Sequence, residues 1–237
     1  MQAPKKRVSV KRDDPHKAPK GSGRRPRRAA YHQGLSRDTI AAAALALIDR
    51  DGLDALSYRR LAEALGCEAM SLYHYFPSKG HLTDAIIDCV FGALEVPLPG
   101  PPWIERVRLA ARNYRAMALG HPKLYPLMAV HRMNTVIGVR KLDEIIGLFR
   151  EGGFDDATAA RLFRDVGYYL TGAALDETAG YAKGPSSAEP VSDEAIARDC
   201  PNLAAVAGYF KPDSFAPTFE QGLDLLLEGI ARLRKKA

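Results

Sequence analysis

The amino-acid sequence predicts an all-α protein with an N-terminal three-helix helix-turn-helix domain followed by a C-terminal helical bundle. Apolar residues recur at helical spacing along most of the 237 residues, and no segment makes a convincing strand. Glycine and capping residues divide residues 35–91 into short helical segments, and a proline-rich stretch at 96–102 then breaks the pattern. We therefore expect domains at 35–95 and 96–237, preceded by a basic arm at 1–34.

The first helix is predicted between the capping residue Ser36 and the terminating residue Gly52. Its apolar residues fall at i, i+3, i+4, i+7 and i+8 and so form one buried stripe, which consists of Ile40, Ala43, Ala44, Leu47 and Ile48. Ser57 and Ser78 are placed to cap the second and fourth helices in the same way.

A helix-turn-helix is predicted at residues 57–76. Its second helix ends at Gly66, which supplies the positive φ that turns the chain sharply into a third helix. We expect this third helix to cover Ala69–Phe76, because Pro77 stops it.

The third helix has the size and the side chains to lie in a DNA major groove, which admits one α-helix. Leu72 and Phe76 face the core, so the other side chains are free to contact bases or phosphates: Met70, Ser71, Tyr73, His74 and Tyr75. Arg59 and Lys79 flank the helix and are placed to reach the phosphate backbone. The alternative is an ordinary helical hairpin in which the tyrosines are half-buried packing residues.

These segments resemble the TetR family of transcription regulators, which are dimeric one-component sensors with an N-terminal DNA-binding domain and a helical ligand-binding domain. The resemblance rests on Asp51-Gly52, on SYRRLAEALG at 57–66 and on SLYHYFPSK at 71–79. It implies a homodimer that represses transcription at a palindromic double-stranded DNA operator and is released by a small-molecule inducer. The DNA contacts implied by position are Ser57, Tyr58, Arg59, Ala69, Met70, Ser71, Tyr73, Tyr75 and Lys79.

Three departures separate the chain from the tetracycline repressor itself. Ala69 and Met70 are apolar where relatives of that repressor place a base-reading polar side chain, so a different operator is expected. Glu95 stands near the position of the drug-binding histidine, and the metal-chelating ligand set is not carried over. We therefore expect neither tetracycline as the inducer nor any metal or cofactor.

Residues 1–34 carry most of the positive charge. They hold eleven Lys and Arg against two Asp, a net charge of +9, so the other 203 residues carry −3 of the total of +6. A segment this charged and this poor in large apolar residues is predicted to be disordered. Arg24, Arg25, Arg27 and Arg28 lie just before the first helix, where they can contact phosphates or an adjacent minor groove. The alternative is a solvated tail that only aids solubility.

The composition favours a cytoplasmic protein with no membrane association. No apolar run reaches the roughly 20 residues of a membrane span, and the basic N-terminus lacks the apolar core of a signal peptide. Cys67, Cys89 and Cys200 have no metal-ligand spacing and suit a reducing compartment. Cys67, in the predicted turn, is either a redox sensor or a small buried side chain.

The C-terminal part is predicted to be helical with one polar loop. A stripe at helical spacing begins at Trp103 and continues through Val107, Ala110, Ala111, Tyr114, Met117 and Ala118. Further helices are expected at 122–132, 135–150, 156–182 and 218–234, with the loop at 183–199.

The helices at 156–182 and 218–234 are predicted to form a four-helix dimer interface. The last helix has a wide apolar face, which extends through Phe219, Leu223, Leu225, Leu226, Leu227, Ile230 and Leu233. Gly167, Gly172, Ala173 and Ala174 permit close approach of another helix, and 219–230 resembles the final helix of tetracycline-repressor-like C-terminal domains. The alternative is a widely buried helix within a monomeric core.

A small-molecule pocket is expected between the C-terminal helices, because helical bundles hold ligands among facing side chains. The candidate residues mix aromatic bulk with a few polar ends, as a flat and largely apolar or aromatic effector requires: Trp103, Tyr114, Met117, Tyr125, Met128, His131, Asn134, Phe149, Tyr168 and Tyr169. Each of them taken singly also fits a core position.

No catalytic site is predicted. His121, His131, Asp176 and Glu177 are available, but no metalloprotease, phosphate-loop or nucleophile-elbow motif organises them. A ligand-independent architectural DNA-binding protein is the other alternative, and the large aromatic second domain argues against it. The sequence also leaves open whether the regulator represses or activates.

Overall fold

The computed structural model describes residues 34–179 and 188–234, and in these residues all regular structure is helical. The arm predicted at 1–34 therefore lies outside the described residues except for Gly34. The N-terminal helices are α1 (Arg37–Asp51), α2 (Tyr58–Leu65), α3 (Ala69–Tyr73) and α4 (Lys79–Gly92). The C-terminal helices are α5 (Trp103–Gly120), α6 (Tyr125–Ala129), α7 (Val136–Glu151), α8 (Asp156–Ala179), α9 (Asp193–Asp199), α10 (Pro201–Val206) and α11 (Phe215–Arg234).

The three serine caps predicted from the sequence are confirmed. Ser36, Ser57 and Ser78 each accept a backbone N–H of the first turn on Oγ, at 3.1, 3.3 and 3.4 Å. Gly52 and Gly66 have φ angles of 90° and 65°, which glycine adopts without a steric penalty. These caps fix where α1, α2 and α4 begin, and the second glycine fixes the turn of the helix-turn-helix.

Helix α3 is shorter than predicted, since it ends at Tyr73 and not at Phe76. The backbone N–H groups of Tyr75 and Phe76 both donate to the carbonyl of Leu72, at 3.0 and 2.9 Å, so the chain closes in a turn. The reason is Pro77, because the residue before a proline is disfavoured in the α conformation.

The predicted helix bounds also differ from the structure at α6 and α11. The expected helix at 122–132 is reduced to Tyr125–Ala129, preceded by a turn in which the carbonyl of His121 accepts the N–H of Leu124. Helix α11 begins at Phe215, three residues before the expected start, since Pro217 fits a first helical turn whose N–H groups have no intrahelical partner.

The loop prediction at 183–199 is wrong where α9 forms. Ser192 accepts the N–H of Ala195 on Oγ at 3.2 Å, and Asp193 and Glu194 lie in the first turn, where negative charge is favourable. Residues 180–187, including the predicted end of the helix at Ala182, lie outside the described residues.

Two clusters of buried side chains hold the helices together. The first joins α1–α4 to α6 and to the ends of α5 and α8, and it contains Ile48, Phe76 and Tyr125. The second joins α5, α7, α8 and α11 around Phe149 and Leu223. Because α6 packs into the same cluster as α1–α4, a displacement of α6 would shift buried side chains that contact the helix-turn-helix.

Candidate functional site

Helix α3 presents one face to the core and the opposite face to solvent. Leu72 is fully buried, whereas the side chains of Met70 and Tyr73 are 70% and 44% exposed. His74 is also exposed, and Ala69 and Ser71 are partly exposed. The exposed face is therefore a row of apolar, aromatic and hydrogen-bonding groups on a helix narrow enough to enter a major groove.

Tyr58 of α2 holds this face in place. Its ring stacks on the ring of Tyr73 with a centroid distance of 4.3 Å and an interplanar angle of 10°. Its hydroxyl donates to the carbonyl of Phe76 at 2.7 Å, and burial raises the pKa of this phenol. One side chain of α2 thus contacts both α3 and the turn that follows it.

Tyr75 and Arg37 fix the far end of the motif to α1. The hydroxyl of Tyr75 donates to the carbonyl of Leu35 at 3.1 Å, and the Arg37 guanidinium donates to the carbonyl of Tyr75. The same guanidinium lies 4.4 Å from the centroid of the Phe76 ring. The Tyr75 ring is therefore partly a packing group, although its hydroxyl retains an acceptor lone pair.

Two basic side chains flank the exposed face. Arg59 lies in the first turn of α2, and its one ion-pair partner among the described residues is the exposed Glu63, at 3.4 Å. Exposed pairs of this kind contribute little, so the guanidinium is available to a phosphate. Lys79 is exposed at the first position of α4, while Ser57 is exposed and caps α2.

A cavity of about 520 Å³ lies between α4, α5, α6, α7 and α8. Its wall is mostly apolar and contains Phe91 and Leu94, which belong to α4 and to the residues just after it. The complete lining is Phe91, Leu94, Val96, Val107, Ala110, Ala111, Tyr114, Met128, Ala129, His131, Met133, Leu142, Ile145, Leu148, Phe149, Phe163, Arg164, Val166, Gly167, Tyr168, Leu170 and Thr171.

Half of the predicted pocket residues line this cavity. Tyr114, Met128, His131, Phe149 and Tyr168 belong to its wall. Most of the other wall residues are aliphatic, and nothing in their spacing separates a cavity wall from a core. Sequence reasoning also missed Arg164 and Thr171, for which the only available signal was a polar residue one turn from Tyr168.

The other five predicted residues are held elsewhere. Trp103 packs edge-on against Phe154, and Tyr169 stacks on Phe219 and donates its hydroxyl to that residue's carbonyl at 2.6 Å. Met117 lines a smaller groove beside Cys89 and His121, and Asn134 is exposed. Tyr125 is fully buried behind the wall.

Most polar groups of the cavity already have partners. The hydroxyls of Tyr114 and Tyr125 lie 2.9 Å apart, and burial raises the pKa of Tyr125 far above its usual value. His131 Nε2 lies 2.8 Å from Asp84 Oδ1. These contacts leave the chamber predominantly apolar, which favours an aromatic or otherwise apolar ligand.

The cavity is joined to α4 by polar contacts as well as by packing. His131 follows α6 and lines the cavity, and its partner Asp84 lies on α4. One turn later, the hydroxyl of Thr135 donates to Asp88 at 2.5 Å. Because α4 begins at Lys79 beside the exposed face of α3, this connection runs from the cavity wall to the helix-turn-helix.

Helices α8 and α11 pack on each other and also leave apolar groups uncovered. Their contact is close, since a Cβ at Gly222 would meet the Tyr169 hydroxyl at 2.5 Å. On the outer side, Tyr168 and Leu225 are each 67% exposed, and Gly172 has no atom within 4 Å of a Cβ position. Of the residues predicted to meet a second copy, Phe219, Leu223, Leu227, Ile230 and Ala174 are instead buried within the chain itself, so a second copy can meet only the outer residues, and the interface stays a prediction.

Every helix in the described part of the chain is too short or too polar to span a bilayer, and no group of three His, Cys, Asp or Glu there is placed to hold a metal. Burial raises the pKa of the partly buried Cys67 thiol, which disfavours the thiolate that a redox sensor needs.

Family models match both parts of the chain. Residues 40–86 match bacterial regulatory proteins of the tetR family, and residues 96–234 match the tetracyclin repressor-like C-terminal domain. The HTH-type transcriptional repressor DrrR1 of Streptomyces coeruleorubidus is 30% identical over 228 residues, which cover 88% of this chain and 82% of the relative.

Solved structures of Streptomyces coelicolor proteins resemble the fold. A possible TetR family transcriptional regulator superposes with a TM-score of 0.69 and 31% identity over 84% of this chain and 100% of the other. ActR in complex with actinorhodin gives a TM-score of 0.68 and 29% identity over 84% of this chain and 98% of the other.

Proposed function

Because the chain belongs to the TetR family of ligand-responsive DNA-binding regulators, we propose that it is a repressor that binds a palindromic operator as a homodimer and leaves it when an aromatic small molecule fills the cavity. The observation that carries the proposal is the continuity of one helix, α4, between the cavity wall and the exposed face of α3. In this proposal the domain at 35–95 binds DNA and the domain at 96–237 binds the ligand.

In the proposed complex, α3 lies in the major groove of each half-site. Met70 and the Tyr73 ring contact thymine methyls or base edges, while Ser71 and His74 hydrogen-bond to bases or phosphates. Arg59 and Lys79 neutralise phosphates on either side, which positions the helix without reading sequence. Two copies of α3 separated by about 34–36 Å reach successive major grooves on one face of the duplex.

The proposed effector is a polycyclic aromatic molecule. The cavity volume of about 520 Å³ and its wall of aliphatic and aromatic side chains suit a flat ligand of several rings. ActR, which shares the fold at 29% identity, has been crystallised with actinorhodin, and this supports a ligand of comparable size.

Release follows from linkage between the two sites. A ligand that contacts Phe91, Leu94 and His131 favours a position of α4 that differs from the one required by the operator. Ligand and operator then weaken each other's binding by the same factor, which is typically 1–3 kcal/mol in free energy. Occlusion of RNA polymerase by the bound dimer gives repression; an activator would use the same DNA complex with a different promoter geometry.

The DNA-binding part of the proposal is tested by selection from random duplex DNA at moderate salt. We expect enrichment of one inverted repeat with two protein chains bound per duplex. Failure to enrich any inverted repeat would remove the central claim. Met70→Ala, selected in parallel, should return an inverted repeat with altered bases, which would show that α3 selects the sequence.

We also propose that the protein acts in the cytoplasm and has no catalytic activity. Its DNA partner and the three dispersed cysteines, none of them in a disulfide among the described residues, support this location. His121 and His131, the two candidate general bases, each face a carboxylate, Asp49 and Asp84, at the contact between the N-terminal helices and the rest of the chain. These pairs suit a structural role in joining the two parts.

A further inference from the structure

Arg164 is the charged side chain in the cavity wall that has no partner. It lies on α8 with Gly167, Tyr168 and Thr171, at spacings that place all four on one side of that helix. No hydrogen bond or ion pair joins Arg164 to any residue that the structure describes. The other titratable side chains of the wall are Tyr114, Tyr168 and His131, and no acidic side chain belongs to it.

The arginines of the neighbouring helix α5, unlike Arg164, all form ion pairs. Each of them is paired with a carboxylate: Arg106 with Glu151, Arg108 with Asp224, Arg112 with Glu220 and Arg115 with Glu177. Carboxylates are therefore abundant around α5, but none of them belongs to the cavity wall beside Arg164 in the described residues.

The position of Arg164 suits recognition of an anion at one end of a ligand. Arg164 is itself exposed, and its stripe borders the outer face of α8 that is predicted to meet a second copy. An anion at Arg164 therefore lies at the rim of the chamber, whereas the ring system of the same ligand is buried among Val107, Phe149 and Leu148. The planar guanidinium is matched to carboxylate geometry and binds it through two parallel hydrogen bonds.

We infer that the effector is an aromatic carboxylic acid whose carboxylate binds Arg164 while its rings occupy the apolar chamber. This inference rests on the proposed function, since it assigns the chemical class of the ligand that the cavity takes. A contact between Arg164 and a carboxylate would distinguish this cavity from one that binds neutral aromatic molecules by shape alone.

The test compares matched pairs of probes by isothermal titration calorimetry on the full-length protein. The probes are two-, three- and four-ring aromatic carboxylic acids, such as anthraquinone-2-carboxylate, each paired with its primary carboxamide. We expect the best-fitting acid to bind at least about tenfold more tightly than its amide, as a charge-assisted bidentate contact provides. The same acid should release a selected operator at a lower concentration than the amide does.

Substitutions identify the group responsible. In Arg164→Met the acid should bind no better than the amide, while amide binding stays within about threefold of wild type; Arg164→Lys should keep part of the preference. The control is Arg161→Met, an exposed arginine on the same helix that does not line the cavity. It should keep the full preference for the acid.

The outcomes distinguish this inference from the proposed function. Equal binding of acid and amide by the wild-type protein, with operator release by both, would overturn the role of Arg164 and leave the aromatic effector intact. A preference for the acid that survives in Arg164→Met would overturn it as well. If no member of any pair binds, the proposed cavity function fails, and this inference fails with it.

Discussion

The stacked pair Tyr58 and Tyr73 shows how a residue of α2 holds the exposed face of α3 that we propose contacts DNA. Tyr73 is exposed and close to the expected position of the bases, whereas Tyr58 is half-buried and contacts Tyr73 and the Phe76 carbonyl. The family resemblance implies a DNA contact at both positions. The geometry adds a positioning role for Tyr58 that no sequence spacing would reveal.

We predict different effects for two substitutions of Tyr58. Tyr58→Phe removes the hydrogen bond to Phe76 but keeps the stack, and should lower the free energy of unfolding by about 1 kcal/mol, as measured by urea denaturation. Tyr58→Ala also removes the ring, and should in addition weaken operator binding in fluorescence anisotropy. Full operator affinity in Tyr58→Ala would show that the stack does not position α3.

A second prediction separates phosphate contacts from base contacts. Arg59→Ala and Lys79→Ala should weaken binding to all duplexes alike, because phosphates carry no sequence information. Met70→Ala and Tyr73→Ala should also change the preferred bases at particular positions, by about 1–3 kcal/mol each. Competition assays against single-base operator variants measure this difference. A changed base preference in Lys79→Ala would contradict the assignment.

At the scale of elements, α4 and the segment around α6 connect the cavity to the helix-turn-helix. His131 lines the cavity and faces Asp84, and Thr135 donates to Asp88 one turn along α4. A packed connection with two specific polar contacts can adopt discrete arrangements, which is what coupling between two sites requires.

We predict that Asp84→Asn weakens this coupling. Asp84 lies in neither proposed binding surface, and asparagine keeps a hydrogen-bonding group opposite His131, so operator and ligand affinities measured separately should change by no more than about threefold. The factor by which ligand weakens operator binding should fall by about 0.5–2 kcal/mol in free energy. Asp143→Asn, an exposed change on α7, is the control. An unchanged coupling factor in Asp84→Asn would exclude this contact from the signal.

The first residue of a helix was easier to predict from the sequence than its last residue or the side chains that it packs against. Ser36, Ser57 and Ser78 fix three starts through a hydrogen bond to a residue three positions away, and such local information is present in the sequence. The end of α3 depends on whether Pro77 stops the helix or the helix continues, and α9 forms where composition alone suggested a loop.

Only half of the predicted pocket residues line the cavity. Aliphatic residues far apart in sequence become part of the cavity wall or of the core according to how α4 and α8 pack.

At the scale of the whole molecule, we propose that the homodimer forms through the outer faces of α8 and α11. Leu225 is 67% exposed on α11, so we predict that Leu225→Glu gives a monomer at micromolar concentration in light scattering. A charge buried in an apolar interface costs far more than the leucine contact itself contributes. The control is Val139→Glu, which changes an exposed aliphatic residue of α7. A dimeric Leu225→Glu variant would place the interface elsewhere.

The charge distribution also makes a prediction for the whole chain. Residues 1–34 carry +9 and the remainder −3, so the proposed arm should supply much of the attraction to DNA of any sequence. Each phosphate contact contributes about 0.9 to the slope of log affinity against log salt concentration. Deletion of residues 1–30 should flatten this slope by several units per dimer and leave the preferred operator nearly unchanged. An identical slope would reduce the arm to a solubility tail.

The central claim is that two copies of α3 bind one operator together, and the spacing of the half-sites tests it most directly. Insertion of five base pairs between the half-sites of the selected operator rotates one of them to the opposite face of the duplex, since a full turn takes about 10–10.5 base pairs. Binding measured by fluorescence anisotropy should then fall to the level of unrelated DNA. Undiminished affinity for the operator with the insertion would contradict the account.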